Sequence, residues 1–140
     1  MSLNITLAVA DINRSEHFYR DLLSLRVERF VAAPGAEPVL LIDTDGATVV
    51  LCASAVLQRQ YPTIYRDLEY HPHGVGVSIE FVVASLDVCQ RALERGGYSW
   101  LHKCEDHEHQ MQELWLHDPD GYLVVLYCRD GDDSLLAVSR

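Results

Sequence analysis

Residues 4–12, NITLAVADI, and residues 78–88, SIEFVVASLDV, decide the fold, because each is an alternating strand that runs into a helix. They stand about 74 positions apart, and each copy closes on an Asp-Gly turn followed by an apolar strand. Those closings are TDGATVVLC at 44–52 and DPDGYLVVLYC at 118–128. Each copy is too short to bury a core alone, so the expectation is one fold made by pairing two copies. The seam between such halves is a natural place for a ligand.

The remaining elements follow from spacing. In the first copy Ile5, Leu7 and Val9 alternate with Asn4, Thr6 and Ala8, so the apolar set should pack under the next helix. That helix is expected over 14–24, with Asn13 as N-cap and Phe18, Leu22 and Leu25 as its stripe. A strand is predicted over 26–31, then a hairpin of 38–43 and 47–52 turning at Asp43-Thr44-Asp45-Gly46. The connector, 53–75, reads as irregular and limited by Pro62 and Pro72, with room for only a short helical turn. Its Tyr61, Tyr65 and Tyr70 suggest that it packs down.

In the second copy Ile79, Phe81 and Val83 face the helix, while Ser78, Glu80 and Val82 face away. The helix is expected over 86–95, capped by Ser85 and ended by Gly96-Gly97. Strands are predicted near 98–103, 111–117 and 122–128, the last apolar on both faces like a central strand. The tail, 129–140, is polar at first and is expected to be mobile near its end.

The fold class is therefore α+β. Two β-α-β-β-β modules should pair into a curved, cup-shaped mixed sheet with helices outside. Residues 1–140 form a single domain, with module 1 at 4–52, the connector at 53–75, module 2 at 76–128 and the tail at 129–140.

Bulk properties narrow the function. The formal net charge is -10, which opposes nucleic-acid binding and suits a cationic ligand or partner. No apolar run approaches the roughly 20 residues that span a bilayer, and no secretion signal opens the chain, so a cytoplasmic protein without membrane contact is expected. Cys52, Cys89, Cys104 and Cys128 form no C-x-x-C pair and read as buried thiols.

Three stretches carry a resemblance: ITLAVADINRSEHFYRDLLSL, GVSIEFVVASLDVCQRALERGG and ELWLHDPDGYLVVLYC. Together they resemble the vicinal oxygen chelate superfamily, which includes glyoxalases, extradiol dioxygenases, fosfomycin-resistance enzymes and bleomycin-resistance proteins. The resemblance covers residues 4–128, and its more specific marks are S-x-x-FY in the first helix and DPDG before the last strand. It implies the fold but not the reaction, because this scaffold hosts many. It also implies that metal-dependent relatives take histidines at the positions of Asn4 and Ser78, and glutamates at those of Val50 and Val125. Valine cannot bind a metal, and Asn and Ser are weak neutral donors, so no metal and no cofactor is expected. His107-Glu108-His109 and His71-Pro72-His73 lie in polar, loop-like stretches and read as solvated. His17 and His117 read as surface or hydrogen-bonding residues.

Alternation then assigns what faces the cup. The expected ligand-binding residues are Asn4, Thr6, Val50, Ser78, Glu80, Glu113, Trp115, Val125 and Tyr127, with Thr48, Cys52, Val82 and Leu123 on the same face. Such an apolar and aromatic surface with a few acids can bind a flat or amphipathic molecule and anchor a cation. No catalytic residue is assigned, because no Ser-His-Asp set, nucleophile elbow, phosphate loop or dinucleotide fingerprint occurs. The expected function is a metal-independent, bleomycin-resistance-type protein that sequesters an aromatic or cationic small molecule. The alternative is a glyoxalase-like lyase, isomerase or dioxygenase with a displaced metal or a carboxylate base. A homodimer is expected, since relatives of this length commonly close their cups by pairing chains.

Overall fold

The computed structural model describes residues 2–129, so the tail expected to be mobile lies, from residue 130, outside the described residues. The chain divides into two compact units, one running to Asp21 and from Leu25 to His73, the other comprising Leu22–Ser24 and the chain from Gly74. Each unit carries one four-stranded mixed sheet.

In the first unit the strands are β1 (Leu3–Val9), β2 (Glu28–Phe30), β3 (Val39–Thr44) and β4 (Ala47–Ala53), in the spatial order β1-β4-β3-β2. β1 runs parallel to β4, and the other two pairings are antiparallel. The β3–β4 hairpin turns at Asp45-Gly46, where Gly46 takes a φ of +87°, a conformation glycine adopts without steric cost. In the second unit β5 (Ser78–Val82), β6 (His102–Asp106), β7 (Met111–His117) and β8 (Leu123–Arg129) repeat the order as β5-β8-β7-β6. β5 is parallel to β8 and the rest is antiparallel. Both units are thus β-α-β-β-β, and the fold is α+β as the alternation predicts.

The helices show where local sequence misleads. The first starts at Asp11, not Asn13: the Asp11 carboxylate accepts from the Asn13 and Arg14 backbone N–H groups, and α1 (Ile12–Glu16) follows. A cap of this kind is worth about 1 kcal/mol. From His17 to Leu22 the helix widens to a π-turn. The wider turn shifts the buried stripe to Phe18, Tyr19, Leu22 and Leu23, and leaves the predicted Leu25 only half-buried. Arg29 fastens β2 to this helix, donating to Glu16 and Asn13. β2 itself is shorter than the strand predicted over 26–31.

The connector is more ordered than predicted. It forms α2 (Ser54–Gln60), then a 3-10 turn at Leu68–Tyr70. Val56 and Leu57 of α2 form a buried cluster with Ala8 and Cys52, joined by Val39, Ala53, Tyr65 and Leu68. Of the three tyrosines only Tyr65 packs down, whereas Tyr61 and Tyr70 are exposed.

The second helix, α3 (Leu86–Arg95), matches its sequence signals. The Ser85 hydroxyl accepts from the Val88 N–H, and Gly97 at φ +79° ends the helix while the Tyr98 N–H returns to the Leu93 carbonyl. Leu86, Cys89, Ala92 and Leu93 bury the inner face of α3, and on the sheet Ile79, Phe81, Leu114, Leu116, Val124 and Leu126 are buried. β6 begins four residues later than predicted, at His102.

Candidate functional site

Pairing registers fix which residues share a face. On the second sheet three cross-strand rows lie on the face opposite the buried leucines. The first is Ser78, Leu123 and His117; the second is Glu80, Val125, Trp115 and His102; the third is Val82, Tyr127, Glu113 and Cys104. Six of the nine sequence-predicted residues, Ser78, Glu80, Glu113, Trp115, Val125 and Tyr127, therefore share one face of one sheet. The other three, Asn4, Thr6 and Val50, share a face of the first sheet, where Asn4 pairs with Thr48 and Thr6 with Val50. Leu41 and Asp43 of β3 complete that face.

The centre of the second face is a pair of side chains two residues apart. The Trp115 indole Nε1–H donates to Glu113 Oε2 at 3.0 Å. Both side chains are half-buried, Val125 beside Trp115 is 4% exposed, and Glu80 is exposed. The bond fixes the ring's edge, and its acceptor is a carboxylate, which strengthens it. One carboxylate oxygen and the flat of an indole are thereby set side by side, an arrangement suited to an aromatic or cationic group.

The four positions assigned by resemblance to metal ligands hold Asn4 and Val50 on the first sheet, Ser78 and Val125 on the second. These residues do not fit a divalent ion, since valine has no donor atom. Among the described residues no three His, Cys, Asp or Glu side chains gather as a metal-holding group. Three of the loop histidines have partners of their own. His109 Nδ1 lies 2.8 Å from Asp106, and hydrogen bonds from His109 hold the Asp106 carboxyl below its ordinary range. His107 pairs with Glu105, and His73 meets the Leu68 carbonyl. His17 pairs with Asp21 on the helix surface, and His117 is exposed.

Three thiols are buried and Cys104 is exposed, which corrects the expectation of four buried thiols. Burial, and next the neighbouring Cys128, pushes the Cys89 thiol up to about 11; burial, then Glu37, also raises Cys52. Cys52 lies on the predicted ligand face but beneath α2. Cys104 was missed as a member of the second face because the predicted strand ended at 103, and His102 because that strand was assigned no face. The signal that finds them is the pairing of 102–106 with the well-predicted strand 111–117.

Asp118 sets the strand after the DPDG turn. Its Oδ1 accepts from the Asp120 and Tyr122 backbone N–H groups, each at 2.9 Å, and the residue is 4% exposed. This turn brings β8 alongside β7 in the register that aligns Trp115 with Val125.

No curated protein matches the chain significantly. Solved structures share its fold at low identity. A glyoxalase/bleomycin resistance protein/dioxygenase from Nocardioides aligns with TM-score 0.61 and 15% identity over 94% of this chain and 85% of that one. A hypothetical protein from S. aureus aligns with TM-score 0.60 and 16% identity over 91% and 92%. An integron cassette protein from V. cholerae aligns with TM-score 0.55 and 18% identity over 91% and 94%. The family model described as Glyoxalase/Bleomycin resistance protein/Dioxygenase superfamily matches residues 3–126, nearly the whole repeat, and the chain belongs to that superfamily.

Proposed function

We propose that this protein is a metal-independent small-molecule binder of the bleomycin-resistance type, sequestering an aromatic or cationic ligand. The observation that carries the reading is the Trp115–Glu113 hydrogen bond on a sheet face that also holds Val125, Tyr127 and Glu80. An aromatic face beside a carboxylate favours a flat cation, by about 0.5–2 kcal/mol for the cation–π contact alone. Two valines at the positions of expected carboxylate ligands support metal independence. The net charge of -10 favours approach of a cation. The chain acts as a homodimer in this reading, because each open sheet leaves edge strands that a second copy can cover. Among the described residues no helix is long and apolar enough to cross a membrane.

Titration of tryptophan emission with bleomycin, or another aromatic cation, tests the site. Trp115→Ala should weaken binding at least several-fold while the circular dichroism spectrum is kept, with Trp115→Phe as control because Trp100 also emits. Unfolding by Trp115→Ala, with no ligand perturbing the emission of the native chain, would make Trp115 a core residue and end the proposal. Elemental analysis of untagged, dialysed protein should find no stoichiometric iron, zinc, manganese or nickel. Sedimentation at micromolar concentration should show a dimer rather than 15.8 kDa particles.

A further inference from the structure

The two sheets are copies of one plan, yet one end of their equivalent faces is treated oppositely. In the first unit Ala8 pairs with Cys52, and Val39 lies two residues before Leu41, which pairs with Val50. In the second unit Val82 pairs with Tyr127, and Glu113 lies two residues before Trp115, which pairs with Val125. Ala8, Cys52 and Val39 thus correspond to Val82, Tyr127 and Glu113. Two of the first trio are sealed: Ala8 and Cys52 are each 6% exposed beneath Val56 and Leu57 of α2, and Val39 packs half-buried against them. Among the described residues the second trio has no such cover: Val82, the last residue of the edge strand β5, is 56% exposed, and Tyr127 and Glu113 are half-buried.

The chain's own first half displays the cover that this face accepts: branched apolar side chains laid across three strands. The second half differs by one decisive exchange, Glu113 in the place of Val39. A cover there must be apolar over Val82 and Tyr127 and must present a cation or hydrogen-bond donor to Glu113. We propose that this end of the second sheet is the apolar subsite of the ligand, and that the ligand is a compact aromatic or branched hydrocarbon body bearing one cationic arm. This rests on the proposed small-molecule binding and specifies its position, its specificity residues Val82 and Tyr127, and its ligand class.

The test uses three probes on the full chain by calorimetric titration: 1-naphthylmethylammonium, 1-naphthalenesulfonate and tetramethylammonium. The first should bind saturably and the other two at least about tenfold more weakly, one lacking the cation and the other the apolar body. Val82→Asn, a neutral polar change at an exposed position that should leave the fold intact, should weaken the first probe several-fold. Glu113→Gln should narrow the gap between ammonium and sulfonate. Full binding by Val82→Asn and Tyr127→Ala, with loss in Trp115→Ala, would overturn this subsite while leaving the small-molecule reading standing. Absence of saturable binding by any probe and by bleomycin would overturn both. Binding by a chain ended at Arg129 but not by the full chain would make the chain's own C-terminal segment the occupant. Dissociation of a dimer by the probe would make a second copy the occupant. Either result would overturn the proposal.

Discussion

Asp118→Ala should be among the most damaging single substitutions outside the apolar core, although it removes only one carboxylate from a turn. The loss is set by two backbone N–H groups, those of Asp120 and Tyr122, which both end on Asp118 Oδ1 at 2.9 Å. Removing the acceptor leaves two donors unsatisfied, the Tyr122 one in a buried setting, at about 1–3 kcal/mol for each buried group. With the Asp120 donor only part-buried, the sum is about 2–4 kcal/mol. For a chain of this size that lowers the melting temperature by roughly 6–16 °C. The repeat supplies the control. Asp43 holds the equivalent place in the first turn, but it is exposed and accepts only from the Thr48 hydroxyl at 2.7 Å. Asp43→Ala should therefore cost no more than about 1 kcal/mol. Asp118→Asn keeps an oxygen acceptor and should fall between the two. Urea unfolding followed by circular dichroism measures all three. Equal losses for Asp118→Ala and Asp43→Ala would refute the reasoning, since Asp118 is buried and holds two backbone N–H groups whereas Asp43 is exposed and holds one side-chain hydroxyl.

Two further outcomes follow from the geometry. Gly74→Ala should destabilise far more than Gly76→Ala: both positions have positive φ, but a Cβ on Gly74 would stand 2.7 Å from Tyr122 Cδ1 and 3.0 Å from its Cα, whereas one on Gly76 meets nothing within 4 Å. Comparable midpoints in urea for the two variants would contradict this. A thiol reagent such as iodoacetamide should label Cys104 in the native chain and reach Cys52, Cys89 and Cys128 only on unfolding, which peptide mass analysis reads directly. Because folding raises the Cys89 thiol from 9.0 to about 11, the unfolded chain loses that proton first. Stability should fall as pH rises from about 9 to 11, and Cys89→Ala should flatten that slope. An unchanged slope in the variant would remove Cys89 as its source.

Much of the architecture was legible because sheet periodicity is strict. A residue's face follows from counting by two, so Glu113 and Trp115 separate from Leu114 and Leu116 without any knowledge of their neighbours. The Ser85 cap and Gly96-Gly97 stop were equally local and equally readable. The errors have a common cause, which is competition beyond the local pattern. Asn13 and Asp11 are both good caps, and only the chain direction out of β1 selects Asp11. A π-turn in HFYRDL leaves no mark on a 3.6-residue stripe, so Leu23 rather than Leu25 takes the buried position. α2 was hidden because Pro62 and Pro72 suggested irregular chain, while its driving force is burial of Val56 and Leu57 against Ala8, Val39 and Cys52 of three strands. The candidate site was legible as a set of residues on faces. Which end of a face is sealed was not, because cover is supplied by elements that the strand sequence does not encode.

The two ends also differ in charge. Val56 and Leu57 can seal the first sheet because every residue they meet there, Ala8, Val39 and Cys52, lacks a charge. The same apolar cover laid on the second sheet would bury the Glu113 carboxylate, whose Oε2 already receives the Trp115 indole N–H, and would leave its remaining acceptor capacity without water. Burying a carboxylate without partners for its remaining acceptor sites costs several kcal/mol, which offsets much of what two aliphatic side chains return by leaving water. Glu113 therefore disfavours any purely apolar cover on this end of the second face, including a copy of the helix that closes the first. Only a cover bringing its own donor or positive charge escapes that penalty. The carboxylate thus acts as a selection rule on what may rest there, and in the proposed reading the indole held against it makes this face of the second sheet a surface for a cationic aromatic molecule.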